Sequence, residues 1–483
     1  MVFPTLSFLL FYLVVWPLSW GAVLLGHHTM HKLVIIAASY FFYAFWNWKL
    51  AFLLFASVLL NWGTARLIEA FRGPDKQSRI VQSRIVAAGV ALNLVVLGFF
   101  KYFGWFAEEM NTLLRAAGLA REIPLFEIVL PVGISFFTFQ GISYIVDLHR
   151  GDLDRARPLI DVMFFISFFP HLVAGPIVRA ASFLPQLEKP PNPERVFVGL
   201  GMLLILWGVF KKAVIAHWLA VHLVDKAFFD PTAFGAIDLT AAVYGYAVQI
   251  YCDFSAYSDI AIGVAALLGY RFQRNFNQPY RAMSLSDFWR RWHMSLSSWL
   301  RDYLYIPLGG NRGGGWRTNR NLLLTMVLGG IWHGAAWKFV IWGALHGGML
   351  AAERAISNVR GAAAGPPMPE RPLWRRFVAV LAIFHFVCFC WIFFRAENVP
   401  RAIEVLAGLG RLTSPATLVT PFLVSLIAFG LAIQFTPPDL LERLDRLYQR
   451  LPVWVVGVIA GLLLLTFEII GGDGTAAFIY FQF

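Results

Sequence analysis

Two histidines forty residues apart, His293 and His333, carry the clearest potential for chemistry in this chain. Imidazole, with an ordinary pKa of about 6.5, both takes and gives a proton near neutrality. Gly329, Gly330, Gly334 and Ala335 flank His333 and leave room for a ligand to approach, although the same setting suits a core histidine bonded to a carbonyl. His293 stands among Arg290, Arg291 and Arg301, which fit a water–lipid boundary or an anionic ligand. Further on, GGNRGGG at 309–315 offers Asn311, Arg312 and backbone amides to a phosphate, or is a flexible loop.

Other residues invite chemistry less strongly. Asp253 and Asp259 lie in an apolar run, YGYAVQIYCDFSAYSDIAIGVAALL, and intramembrane carboxylates are functional candidates by default. DFSAYSD also reads as a helix break followed by a capped new start. His27, His28 and His31 have no acidic or cysteine companion nearby, so an interfacial loop is expected there rather than a metal site, and none is expected elsewhere. His171, His217, His346 and His385 read as core histidines. Cys252, Cys388 and Cys390 fall in or beside apolar runs and read as buried thiols. No HExxH, GxSxG, Walker or dinucleotide signature occurs in the sequence.

The elements that position these residues are membrane helices. Hydrophobic residues make up 58% of the chain and charged ones 14%, with a mean hydropathy of +0.64, well outside soluble composition. The class is therefore all-α and polytopic, with ten to twelve membrane segments expected, some incomplete. The net charge of +12 falls in loops between apolar runs, so the positive-inside rule explains it and nucleic acid is not implied. The first run, Phe3 to Leu25, lacks a basic n-region and is expected to be a retained span. The loop bearing Arg72, Lys76, Arg79 and Arg84 is expected in the cytosol, with the amino terminus outside. Residues 271–320 hold nine arginines against two aspartates and are expected on the cytosolic face as helices along the surface, with Ser286 as an N-cap. FFPHLVAGPIVR, with its helix breakers, predicts re-entrant pieces, and Lys211-Lys212 is expected to interrupt an apolar run. Asn321 to Leu350 is one crossing or a hairpin broken at Gly329-Gly330, with basic flanks favouring the hairpin. Runs 377–394, 422–435 and 453–470 follow, the first after a flexible AAAGPP segment at 362–367.

DFSAYSDIAIG (253–263), NFNQPYRAMSLSDFWRRWHMSLSSWLRDYLYIPLGGNR (275–312) and GGIWHGAAWKFVIWGALHG (329–347) together resemble the membrane-bound O-acyltransferase family, in particular its bacterial alginate O-acetyltransferase-like branch. LPVGISFFTFQGISYIVD, FPHLVAGPIVR and the terminal FIYFQF extend the resemblance over most of the chain. It implies a single integral-membrane domain over 1–483: N-terminal spans at 1–150, a catalytic core at 158–355 containing the basic segment 271–320, and C-terminal spans at 373–483. The implied fold is a helical ring with re-entrant segments around a central tunnel and funnel, in a bacterial inner membrane. The histidine of the WHG motif, His333, is then the catalytic base. His293 lies along the acyl-donor tunnel, where some relatives have asparagine, and would orient the thioester carbonyl or stabilise its developing charge. Acetyl-CoA is the implied donor, with Arg290, Arg291, Arg312, Asn311 and Trp332 on its path.

The expected activity is transfer of acetyl from cytosolic acetyl-CoA for O-acetylation of an extracytoplasmic polysaccharide, alginate-like exopolysaccharide first. A periplasmic esterase-like partner protein is expected to complete the transfer, since the chain shows no large extracytoplasmic domain of its own. Peptidoglycan or cellulose acetylation and D-alanyl transfer are the alternatives within the family. A solute transporter is the alternative outside it, disfavoured because no internal repeat is visible.

Overall fold

In hydrocarbon every backbone N–H and C=O must be satisfied within its own segment, so apolar runs of this length become helices. The computed structural model bears this out for residues 5–119, 122–126, 128–196, 198–359, 372–412, 415–437 and 440–448, with residues 455 and 461, which are the residues it describes. All regular structure among them is helical. Among the described residues, six helices are long and apolar enough to cross a membrane, and Pro421–Phe435 is a shorter apolar helix. The chain is a multi-pass membrane protein. The run 453–470 apart from residues 455 and 461, FIYFQF and the AAAGPP segment lie outside the described residues.

The chain divides into two units, Met1–Gly201 with Ala261–Gln273, and Met202–Ile260 with Arg274–Phe483. In the first unit, α1 (Leu6–Leu24), α2 (His28–Ala44), α3 (Trp48–Ala70), α4 (Lys76–Ala116) and α5 (Ile134–Arg150) follow in order. Thr5, Asn47 and Asp75 cap α1, α3 and α4 by accepting backbone N–H bonds, which ends each connecting loop sharply. FFPHLVAGPIVR (168–179) holds only the one-turn helix Phe169–Leu172, with the short helices Leu159–Ser167 and Ala180–Phe183 on either side of it. The histidine trio is not a loop: His28 and His31 open α2. His31 is buried, with Tyr270 Oη at 2.8 Å from Nε2 and Ser19 Oγ at 3.0 Å from Nδ1.

In the second unit two expectations fail for one reason. Lys211-Lys212 does not break its run, because α6 (Val198–Phe229) is continuous, with π-type winding at 211–216 and 220–224. DFSAYSD does not break either, because α7 (Ala236–Leu267) runs through it. The lysines and aspartates neutralise each other: Lys211 Nζ lies 2.6 Å from Asp259 and 2.7 Å from Ser255 Oγ, and Lys212 Nζ lies 2.5 Å from Asp253. Neighbours on an α-helix point about 100° apart. The wider π turn narrows that angle and lets two consecutive lysines face one partner helix.

Candidate functional site

The site is built on a glycine-seamed hairpin. Helices α10 (Gly315–His333) and α11 (Trp337–Val359) run antiparallel. A side chain at Gly330 would meet Phe339 and Gly343, one at Gly343 would meet Met326 and Val327, and one at Gly347 would meet Leu323. The glycine pair 329–330 therefore serves close approach and does not break α10. The hairpin turns instead at Gly334, whose extended φ of −171° ends α10 immediately after His333. His333 is buried against the rings of Trp332 (4.9 Å between centroids), Trp342 (5.2 Å) and Phe394 (5.1 Å). Phe394 belongs to α12 (Leu373–Arg395).

His293 is held by different means. Helices α8 (Leu285–Arg291) and α9 (Met294–Leu300) are separated by this one tight corner, where His293 takes a left-handed backbone at φ 41°. For a non-glycine residue that conformation is costly and persists only where the surroundings impose it. Asn275 imposes it: its carbonyl accepts from Met294 N–H at 2.8 Å, and its Oδ1 accepts from Ser295 N–H at 3.1 Å and Ser295 Oγ at 2.9 Å. Asn275 Nδ2 in turn donates to Ser258 Oγ on α7.

These bonds favour one tautomer of His293. Backbone N–H groups only donate, so the Asn275 oxygen faces the corner; His293 Nδ1 lies 3.2 Å from that oxygen and 3.4 Å from Ser295 Oγ, and a proton on Nδ1 suits both. Nε2 is left as an acceptor, buried without a hydrogen-bond partner among the described residues. His293 lies outside the six candidate spans, and burial lowers its pKa to about 3. A neutral imidazole of this tautomer accepts hydrogen bonds at Nε2 and does not donate one to an oxyanion.

Both histidines pack on the same indole, Trp332, at 6.3 Å for His293 and 4.9 Å for His333. Their rings can be no farther apart than those two legs laid end to end. Around them, the indole N–H groups of Trp342 and Trp391 are buried without a partner among the described residues. Trp391 stacks 5.9 Å from Trp342 and lies 5.2 Å from Phe394. Such a cage carries unspent donors next to His333 and an unspent acceptor at His293. A ligand rich in carbonyl oxygens, such as a thioester followed by amides, matches that polarity.

The basic residues are spread more widely. Arg290 is exposed, Arg291 pairs with Asp287 at 3.0 Å, and Arg312 is exposed in the glycine loop. Asn311 Oδ1 accepts from Tyr305 Oη at 2.5 Å and from Arg354 at 3.5 Å. Gly309, Gly310, Gly313 and Gly314 all have positive φ, so the loop is a wound turn leading into the N-terminus of α10. The cap of α8 is Ser284, which accepts from Asp287 N–H at 3.0 Å, and not Ser286. Ser286 N–H donates to Glu353 on α11 instead. Among the described residues no cluster of histidine, cysteine and carboxylate side chains is arranged to hold a metal ion. All three cysteines are buried and unbridged, as expected. Asn275 was not foreseen, because nothing in its local spacing ties it to a histidine eighteen residues on.

The profile of the membrane-bound O-acyltransferase family matches residues 152–394, which contain both histidines and the hairpin. The chain is 42% identical to a probable alginate O-acetylase of Azotobacter vinelandii, over 85% of this chain and 78% of that one. It is 36% identical to a peptidoglycan O-acetyltransferase of Helicobacter pylori, over 78% and 73%. A teichoic acid D-alanyltransferase of Bacillus subtilis is 28% identical over 55% of this chain and 69% of its own. The shared activity of these relatives is transfer of an acyl group, which displaces the transporter alternative. On this similarity, extending over most of its length, the chain belongs to the membrane-bound O-acyltransferase family and is a membrane O-acyltransferase.

Proposed function

We propose that this acyltransferase moves acetyl from cytosolic acetyl-CoA, across a bacterial inner membrane, to the hydroxyl of an extracytoplasmic polysaccharide or of a periplasmic partner that passes it on. An alginate-like polymer is the first choice. The observation that carries the reading is the placement of His333 at the apex of the α10–α11 hairpin, in a cage whose unspent N–H donors suit a thioester. Similarity favours acetyl over D-alanyl transfer, at 42% against 28% identity.

In this mechanism His333 takes the proton of the acceptor hydroxyl as its oxygen attacks the thioester carbonyl carbon. The C–S bond then breaks, and the imidazolium returns the proton to the departing thiolate, leaving an ester and free CoA. His333 ends a nineteen-residue helix, where the negative end of the helix dipole favours the positive charge it acquires. The Trp342 indole N–H is the donor available to the tetrahedral oxyanion. His293 Nε2 accepts from an N–H or O–H of a substrate and orients it. Arg290, Arg291, Arg312 and Asn311 meet the CoA phosphates at the cytosolic face, and Trp332 spaces the two histidines.

The test is turnover of radiolabelled acetyl-CoA by purified protein in detergent, with a hydroxyl acceptor added. His333→Ala is expected to lower acetyl transfer about 10³-fold, with unchanged yield of folded protein. Full turnover in that variant would remove His333 from the mechanism.

A further inference from the structure

His346 reads as a core histidine from sequence, and it is fully buried on α11. Its hydrogen bonding makes it more than that. Trp289 Nε1–H donates to His346 Nδ1 at 3.3 Å. An indole nitrogen only donates, so Nδ1 presents its lone pair and the proton of the neutral ring sits on Nε2. That Nε2–H is buried without a hydrogen-bond partner among the described residues. Its polarity is opposite to that of His293, where Nδ1 carries the proton and Nε2 accepts.

The position of His346 is equally specific. Its ring packs 4.7 Å from Trp342, and Trp342 packs 5.2 Å from His333. The hairpin register sets Gly347 beside Leu323, ten residues before His333 on α10. His346 therefore lies one ring from His333, displaced toward the end of the hairpin where Arg317 and Arg320 are exposed. Its partner Trp289 belongs to α8, the helix of Arg290 and Arg291. Helix α8 is also fastened to α11 by Glu353, which accepts from Leu285 N–H at 2.5 Å and Ser286 N–H at 3.1 Å. A donor passing from the arginine-bearing helix to His333 thus meets an N–H group partway along.

We propose that His346 Nε2–H donates to an amide carbonyl of the donor's pantetheine arm, making His346 a donor-selecting residue. This rests on the thioester reading above. In acetyl-CoA two amides follow the thioester sulfur along the arm. A donor with its carbonyl on His333 presents those amides toward the phosphate end, which is the side on which His346 stands. The indole N–H of Trp289 holds the ring so that the donor proton stays on Nε2.

The test compares three thioesters with the purified full chain: acetyl-CoA, S-acetylpantetheine, which keeps both amides without the phosphates, and S-ethyl thioacetate, which has neither. His346→Phe is expected to raise KM for the first two about tenfold with kcat little changed, and to leave kcat/KM for S-ethyl thioacetate unaltered. His346→Gln, which keeps an N–H donor and an acceptor for Trp289, is expected to recover KM to within about threefold of wild type. An equal loss on S-ethyl thioacetate would mean that His346 only supports the fold, and overturns the proposal. So does an unchanged KM for acetyl-CoA, or a shift confined to KM of the acceptor. Calorimetric binding of CoA in a His333→Ala background separates this proposal from the chemistry assigned to His333. About tenfold weaker binding on adding His346→Phe supports it even if acetyl transfer does not depend on His333, and unweakened binding overturns it.

Discussion

Gly343→Ala tests the role proposed for His333 from a distance. A methyl at this position would stand 2.9 Å from Val327 Cα, and closer still to the Met326 carbonyl oxygen, both on the backbone of α10. Carbon contacts relax at about 3.5–4.0 Å, so α10 and α11 must part by roughly 0.6–1 Å, since neither neighbour can rotate away. Overpacking of this kind costs about 1–3 kcal/mol. The larger effect falls on catalysis, because His333 is the last residue of α10 and its depth follows the helix. A misplacement of about 1 Å lowers kcat on the order of 10²-fold. The control is five residues along the same helix: a methyl at Gly348 meets nothing within 4 Å. Gly348→Ala is expected to keep full activity and to gain about 0.5–1 kcal/mol from helix propensity. The assay is acetyl release from acetyl-CoA alongside the thermal midpoint of each variant in detergent. Wild-type turnover in a folded Gly343→Ala protein would refute the argument that the glycine seam sets the depth of His333.

Three further outcomes follow from the same geometry. Lys212→Met strands the Asp253 carboxylate inside the bundle and is expected to cost about 3–5 kcal/mol, while Lys212→Met with Asp253→Leu recovers most of it; thermal midpoints of the singles and the double check this, and an additive double would contradict the pairing. Asn275→Ala releases the left-handed corner at His293 and is expected to lower kcat about tenfold with the fold retained, a rise in ΔG‡ of about 1.4 kcal/mol; unchanged kcat would count against a positioning role for Asn275. His293 is neutral in the folded protein down to about pH 3, whereas the unfolded chain binds its proton below about pH 6.5. The unfolded state therefore binds more protons across that window, and stability falls as pH drops through it; His293→Asn is expected to flatten the decline in thermal midpoint between pH 7 and 5.

The helices and the two motif histidines were legible in the sequence because length, hydropathy and a contiguous motif are local signals. The pairing of Lys211 and Lys212 with Asp259 and Asp253 was not, since it depends on the relative register of α6 and α7 and on π winding that leaves no compositional mark. Read locally, those charges look like breaks; paired, they let both helices continue. Gly329-Gly330 misled in the same way. A glycine pair inside an apolar run signals either a break or a close approach, and only the partner helix decides between them. The turn fell at Gly334, next to His333. Asn275 and His346 escaped notice because their meaning lies in which nitrogen or oxygen is already engaged.

That last point governs how the site is read. Buried charge in α6 and α7 is neutralised at contact distance. The same unit nevertheless keeps His293 Nε2, Trp342 Nε1, Trp391 Nε1 and His346 Nε2 without partners among the described residues, all within a connected set of aromatic rings around His333 and Trp332. A buried donor or acceptor left unmatched is unfavourable for the fold alone. Keeping four such atoms in one ring cluster makes sense where a substrate supplies their partners during turnover. Beside Trp391, the Tyr246 hydroxyl is also buried without a partner among the described residues, so the cluster offers N–H and O–H donors together with acceptors at His293 and Tyr246. An acetyl thioester on an amide-bearing arm matches both, with carbonyl oxygens for the donors and amide N–H groups for His293. That match is why we propose the acyl donor as the ligand beside His333.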